Sequence, residues 1–224
     1  MQWSSLVMGV ALSATLLPAT ALVVENKGYY QLSYDESSDL GGVSKWFGGA
    51  GFQGFGWSFN DSIQVLSDGG APTSLVVHLP SFALSAAGGW ALSDPAAFLG
   101  KLAFTEVGGT VTTVLAGADV EVDGNAFRYD QGVGWTVTRS GPASNIGYFS
   151  GNASLPGSFS SLKVSNATLT LSASGGLFGS IQATDQNVLE ISFNVTAVPE
   201  PAGSAMLASG LGVMAWLLRR RARR

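Results

Sequence analysis

The sequence predicts an all-β protein, an antiparallel sandwich or jelly roll carrying an N-terminal signal helix and a C-terminal transmembrane helix. Three observations lead there. Between about Leu22 and Ala197 the apolar residues recur with a period of two rather than 3.6, so they line one face of an extended chain. Glycine fills 30 of the 224 positions, roughly double its ordinary share, and much of it falls in turn-forming clusters. Apolar residues make up 46% of the chain and charged ones only 12%, enough to bury a core and too few charges for wholesale disorder.

The first element, Met1 to Ala21, holds the apolar run Leu6 to Leu12 followed by Leu16-Leu17-Pro18. It closes on Ala19-Thr20-Ala21, with small residues Ala19 and Ala21 at the two positions a signal peptidase reads. The stretch therefore reads as a secretory signal spanning 1–21, cleaved by signal peptidase after about Ala21. No Lys or Arg precedes the apolar run, and a buried N-terminal helix is the alternative.

The body, 22–197, is read as one domain, with neither a linker nor a repeat of fixed period. Its clearest strand places Leu189, Ile191, Phe193, Val195 and Ala197 on one face, with Glu190, Ser192, Asn194 and Thr196 on the other. The same alternation marks Tyr30-Leu32-Tyr34, Trp57-Phe59 with Ile63-Val65, Leu102-Phe104, Val133-Trp135-Val137, Leu162-Val164 and Leu169-Leu171. Turn clusters separate these runs at Asp68-Gly69-Gly70, Gly108-Gly109, Asp123-Gly124, Ser140-Gly141-Pro142 and Ser174-Gly175-Gly176. About ten to twelve strands are expected. A single helical turn is expected at Asp94 to Leu99, with Asp94 as cap and Pro95 at the first helical position.

Composition excludes several chemistries. The chain has no cysteine, hence no disulfide framework, thiolate metal site or cysteine nucleophile. Five of its eleven basic residues lie in the last six positions, so the rest of the chain sets six basic residues against 15 acidic ones. Such an acidic body is not a phosphate-backbone binder, and no nucleic-acid partner is expected. There is no phosphate-binding Gly-rich loop, no His-Glu-x-x-His and no dinucleotide fingerprint. His78, the only histidine, reads as a residue near the end of a strand, and no Gly-x-Ser-x-Gly elbow accompanies it.

Two stretches of the body carry candidate sites. Asp119 to Asp130 places carboxylates at loop positions 1, 3, 5 and 12 and glycine at 6, the spacing of a calcium loop through Asp119, Glu121, Asp123 and Asp130. The competing reading is a β-hairpin turning at Asp123-Gly124, with Asp119, Glu121 and Asp123 solvated and Val120 and Val122 inward. The same carboxylates raise the question of a glycan hydrolase, since retaining hydrolysis needs two of them about 5 Å apart. An immediate hairpin puts them at a rim instead, and no catalytic residue is assigned. The second stretch is the aromatic, Gly-rich segment Trp46 to Trp57. Trp46, Phe52 and Trp57 are its candidate glycan-binding residues, and core filling plus a loop is the alternative. Trp90 and Trp135 are expected to be core or partly buried. Four Asn-x-Ser/Thr sequons, at Asn60, Asn152, Asn166 and Asn194, read as strand composition.

The last element, 198–224, has three parts. Val198-Pro199-Glu200-Pro201 is expected to be extended, because each proline disfavours helix in the residue before it. Residues 202–218 are uncharged and apolar, about 26 Å of helix, near the lower limit for a membrane span. Arg219, Arg220, Arg221, Arg223 and Arg224 follow as a stop-transfer cluster, and the positive-inside rule places them in the cytoplasm. A soluble helix with a solvated basic end is the alternative. In this order, Pro-Glu-Pro, a short apolar helix and a terminal arginine cluster resemble the PEP-CTERM sorting signal of Gram-negative bacteria. The resemblance covers about the last 27 residues. It implies that an exosortase recognises Pro199, Glu200 and Pro201, and that the chain belongs with exported proteins of the extracellular polysaccharide and biofilm matrix. The expectation is an exported, exosortase-processed, non-enzymatic structural protein of the cell surface or matrix, anchored transiently in the cytoplasmic membrane. A carbohydrate-binding β-sandwich module is the alternative. No cofactor is expected beyond the candidate calcium ion.

Overall fold

The computed structural model describes residues 22–49, 51–184 and 188–198. The signal segment 1–21, the sorting motif Pro199-Glu200-Pro201, the apolar segment 202–218 and the arginine cluster lie outside the described residues. Among the described residues no helix is long and apolar enough to cross a membrane.

Among the described residues sixteen strands follow one another: β1 (Leu22–Asn26), β2 (Tyr30–Asp35), β3 (Lys45–Gly49), β4 (Phe52–Ser58), β5 (Gln64–Asp68), β6 (Thr73–His78), β7 (Phe82–Ala86), β8 (Trp90–Val107), β9 (Val111–Val122), β10 (Asn125–Gly132), β11 (Trp135–Ser140), β12 (Ser144–Ser154), β13 (Ser158–Phe159), β14 (Ser161–Ser174), β15 (Phe178–Ala183) and β16 (Val188–Ala197). They form two antiparallel sheets, one of seven strands and one of nine, consistent with a β-sandwich. Every turn cluster read from the sequence separates two strands, and four of the five do so with residues at positive φ: Gly69 and Gly70, Gly108 and Gly109, Asp123 and Gly124, Gly175 and Gly176.

Each sheet is organised around one long strand. In the seven-stranded sheet β14 pairs along one side with β9, while its other side is shared end to end by β7 at Ser161–Val164 and β6 at Thr168–Ala173. In the nine-stranded sheet β8 carries β12 and β13 on one side and shares the other between β16 and β15. The sandwich therefore has two halves, and the core follows them. One apolar cluster gathers Tyr30, Leu32, Phe55, Trp57, Phe82, Leu84 and Phe193. The other gathers Ile63, Val65, Leu102, Phe104, Leu169, Leu171 and Ile181.

Three expectations are corrected, the first being number: sixteen strands stand among the described residues where the sequence predicts about ten to twelve. Asp94 to Leu99 is not a helical turn but the interior of the 18-residue strand β8. Asp94 takes a φ of 51° at a β-bulge, where Asp94 and Pro95 lie opposite the single residue Phe193 as the β16 register slips. Proline, lacking an N–H, is tolerated at a bulge as readily as at a helix start, so the same pair of residues serves both. Trp135 is not core: it opens the edge strand β11 and is 66% exposed, whereas Trp90 is half-buried.

Candidate functional site

The described part of the tail leaves the body from a central strand. β16 lies between β8 and β4, with Ile191, Phe193 and Val195 buried, so period-two patterning runs to within a few residues of the sorting motif. Val198 N–H donates to Gly89 O (2.9 Å) and Val195 N–H to Gly51 O (3.0 Å), which ties the exit point to two turns of the body. The same end holds several aromatic rings. Tyr29 stands edge-on to Trp90, 4.6 Å between centroids, and the Lys27 ammonium sits 3.7 Å from the Trp46 ring centroid. Tyr29, Trp46 and Phe52 are each about 40% exposed. A half-apolar, half-wet ring suits a membrane–water interface or a sugar face.

Trp46, Phe52 and Trp57, the candidate glycan-binding residues, do not share one exposed face. Trp57 is fully buried, edge-on to Phe55 at 5.3 Å, because it shares the inward parity of β4 with Phe55. Trp46 lies directly opposite Phe55 and faces the same way, whereas Phe52 has the other parity and sits near Phe47, 6.0 Å between centroids, on the outer face. Phe47 covers Gly54 so closely that a Cβ there would lie 2.3 Å from its ring. What remains is a shallow groove of about 590 Å³ lined by Trp46, Phe47, Tyr29, Gln53 and Lys27.

Asp119 to Asp130 forms the hairpin β9–β10. Asp123 and Gly124 make its two-residue turn with φ of 48° and 82°, the left-handed pair that such turns require. Asp119, Glu121 and Asp130 lie along the outer face, opposite Arg128, Ala126 and Gly117 in the register, strung along an extended ribbon instead of wrapped about a point. Asp119 accepts from Asn166 Nδ2 (2.7 Å) and Arg128 Nη1 (3.0 Å), and these bonds, Asn166 first, hold its carboxyl below the ordinary range. Asp123 turns away from the hairpin. Its Oδ1 accepts from Ser160 Oγ (2.7 Å), Ser161 N–H (2.8 Å) and Ser160 N–H (2.9 Å), which lower its pKa and pin the turn to the start of β14. No group of three or more His, Asp or Glu placed to hold a metal ion occurs among the described residues.

The remaining sequence candidates take structural places. His78 ends β6, exposed, with Nδ1 3.4 Å from Asp39 Oδ2. Asn166 and Asn194 donate from their Nδ2 groups to other side chains at the surface, Asp119 and Asp94 respectively.

Sequence reading missed a cavity of about 430 Å³ between the sheets, at the junction of the two core clusters. One wall is the inner face of β9 and β10, where Ala116, Ala118 and Val120 lie opposite Gln131, Tyr129 and Phe127. The facing wall includes Ala97 of β8 and Ala153 of β12. A run of small residues at inward positions was the available signal. Alanine carries little weight in a hydrophobic alternation, so it reads as an interrupted strand rather than a missing volume.

No family model and no curated protein matches the chain. Among solved structures, a weak similarity is to the infectious bursal disease virus VP2 subviral particle. It has 13% identity and a TM-score of 0.19 over 86% of this chain, which spans 59% of that protein's length. A superposition this poor carries no structural or functional argument.

Proposed function

We propose that this chain is an exported protein, held at first by its C-terminal segment in the cytoplasmic membrane and processed at Pro199-Glu200-Pro201 by an exosortase-type enzyme. Its β-rich body then remains as a structural component of the cell surface or of an exopolysaccharide matrix. The observation that carries this reading is the order of the tail: recognition tripeptide, apolar segment, arginine cluster. The fold supports it through the exit point. Val198 is fastened to Gly89, and the four residues 198–201 span at most about 14 Å when extended. A membrane anchor beginning at residue 202 would hold Val198, and with it the Gly89–Trp90 turn, within that reach of the membrane surface before processing.

Replacing Pro199, Glu200 and Pro201 together by alanine tests the reading. In a host with an active exosortase, the wild type leaves the membrane fraction and the triple variant stays there at full length. Equal release of both chains refutes the assignment of the motif.

A carbohydrate-binding role is the second reading, favoured by the groove at Trp46, Tyr29 and Gln53. It requires that Trp46→Ala weaken retention on an exopolysaccharide column at least tenfold. No retention of the wild type removes this reading and leaves the first intact.

A further inference from the structure

The cavity between the sheets lies where the construction of the sandwich changes, and three independent features open it. The long strand β14 exchanges β7 for β6 as its partner there, across Leu79-Pro80-Ser81, and β8 exchanges β16 for β15. Ladders slip at the same level. β14 bulges between Ser165 and Thr168, with Asn166 at a φ of 49°, and the β12–β8 pair shifts register between Phe149 and Gly151. Bulges of this kind gather beside functional sites, where they re-aim side chains. Lastly, the inward positions on facing strands are small, namely Ala116 and Ala118 on β9, Ala97 on β8 and Ala153 on β12.

The result, about 430 Å³, is far larger than the rare water-sized voids of a packed interior and falls within the range of small-molecule pockets. Its chemistry is one-sided. No Asp, Glu, Lys, Arg or His is among its lining residues, and Arg128, Asp119 and Asp130 lie on the opposite face of the same hairpin. Polar groups are confined to neutral ones, such as the Tyr129 hydroxyl, Gln131, Asn152 and Ser154. All four occupy exposed or half-exposed positions, and the lining also includes Phe127, 41% exposed on the edge strand β10, so the cavity reaches solvent there.

We propose that this cavity is a binding site for a neutral, predominantly apolar small molecule, with an aliphatic or ring body against the alanine walls and an uncharged polar end at the Tyr129–Gln131 rim. An ionised ligand is disfavoured, because nothing in the lining compensates its lost hydration. The site is independent of the sorting tail and of the groove at Trp46.

The absence of cysteine gives a clean test on the full chain in lipid nanodiscs. Ala153→Cys reports the cavity, and Ala143→Cys, exposed in the turn between β11 and β12, reports bulk solvent. Each is modified with neutral benzyl methanethiosulfonate and with anionic sulfonatoethyl methanethiosulfonate. The neutral-to-anionic rate ratio is expected to be at least tenfold higher at position 153 than at 143. Saturating 1-decanol is expected to slow the neutral reagent at least fivefold at 153 and not at 143. Ala118→Leu, which narrows the cavity, should slow it similarly without lowering the melting temperature. Ratios within twofold of each other at the two positions overturn the proposal, and so does a raised ratio that 1-decanol leaves untouched. Ala97→Cys, beside Ala153 on the paired strand β8, carries the same measurement if Ala153→Cys does not fold.

Discussion

Phe193 joins the sorting tail to the core, and its removal has a magnitude that the structure sets. The side chain is 1% exposed, edge-on to Tyr30 at 4.9 Å and 6.4 Å from Phe55, on the central strand that continues to Val198. Truncating a buried phenylalanine to alanine costs about 3–5 kcal/mol through lost transfer energy and the cavity left behind. For a body of this size each kcal/mol moves the melting temperature by about 2–4 °C, so Phe193→Ala lowers it by about 6–20 °C. Ser192, one residue earlier, has the opposite parity, and Ser192→Ala stays within about 0.5 kcal/mol. Thermal melts of the two variants, followed by far-ultraviolet circular dichroism at pH 7, compare them directly. Equal shifts refute the alternation that places β16 between β8 and β4, and so does a loss below 3 °C for Phe193→Ala.

Other consequences follow from single contacts. Trp57 is fully buried and its Nε1 has no hydrogen-bond partner, so Trp57→Phe exchanges lost apolar area for relief of an orphaned donor. The two terms, about 1–3 kcal/mol each, leave a net change within about 1.5 kcal/mol in urea denaturation, against about 3–5 kcal/mol lost for Trp57→Ala. Gly176 has a φ of 64°, and a Cβ there would lie 2.1 Å from Thr110 N. Gly176→Ala therefore lowers the urea midpoint, while Gly88→Ala, with open space around it, leaves it within error. Asp94, Asp119 and Asp123 are held below the ordinary carboxylate pKa, Asp94 chiefly by Gly157 N–H, Asp119 by Asn166 and Asp123 by Ser160. Depressed folded values mean that their contribution is complete above the unfolded pKa, about 4, and is lost as pH falls through the folded ones. Melting temperature therefore drops as pH falls below about 4, and Asp123→Asn flattens that drop; an identical slope in the variant contradicts the assignment.

Much of the fold was legible because a half-buried strand writes its geometry into the sequence. Leu189 to Ala197 alternates as β16 does, and Asp123-Gly124 turns the hairpin it predicts. What failed did so where one residue type serves two structures. Asp94-Pro95 marks helix starts and bulges alike, and only the pairing of β8 with β16 decides between them. Parity was available for the aromatic segment, since Phe52 and Trp57 are five residues apart and must face opposite ways on one strand. Trp46 depended on the register across the β3–β4 turn, which depends on the turn's length. The cavity was least legible, because a site made of small side chains and bulges leaves no concentration of chemistry in the sequence.

The measurement that bears most directly on the export reading is the intact mass of the protein recovered outside the cells of an exosortase-bearing host. The account predicts a chain that begins near Leu22 and ends near Pro199-Glu200-Pro201, without the terminal arginines. A full-length chain, from Met1 through Arg224, in the soluble cytoplasmic fraction contradicts it.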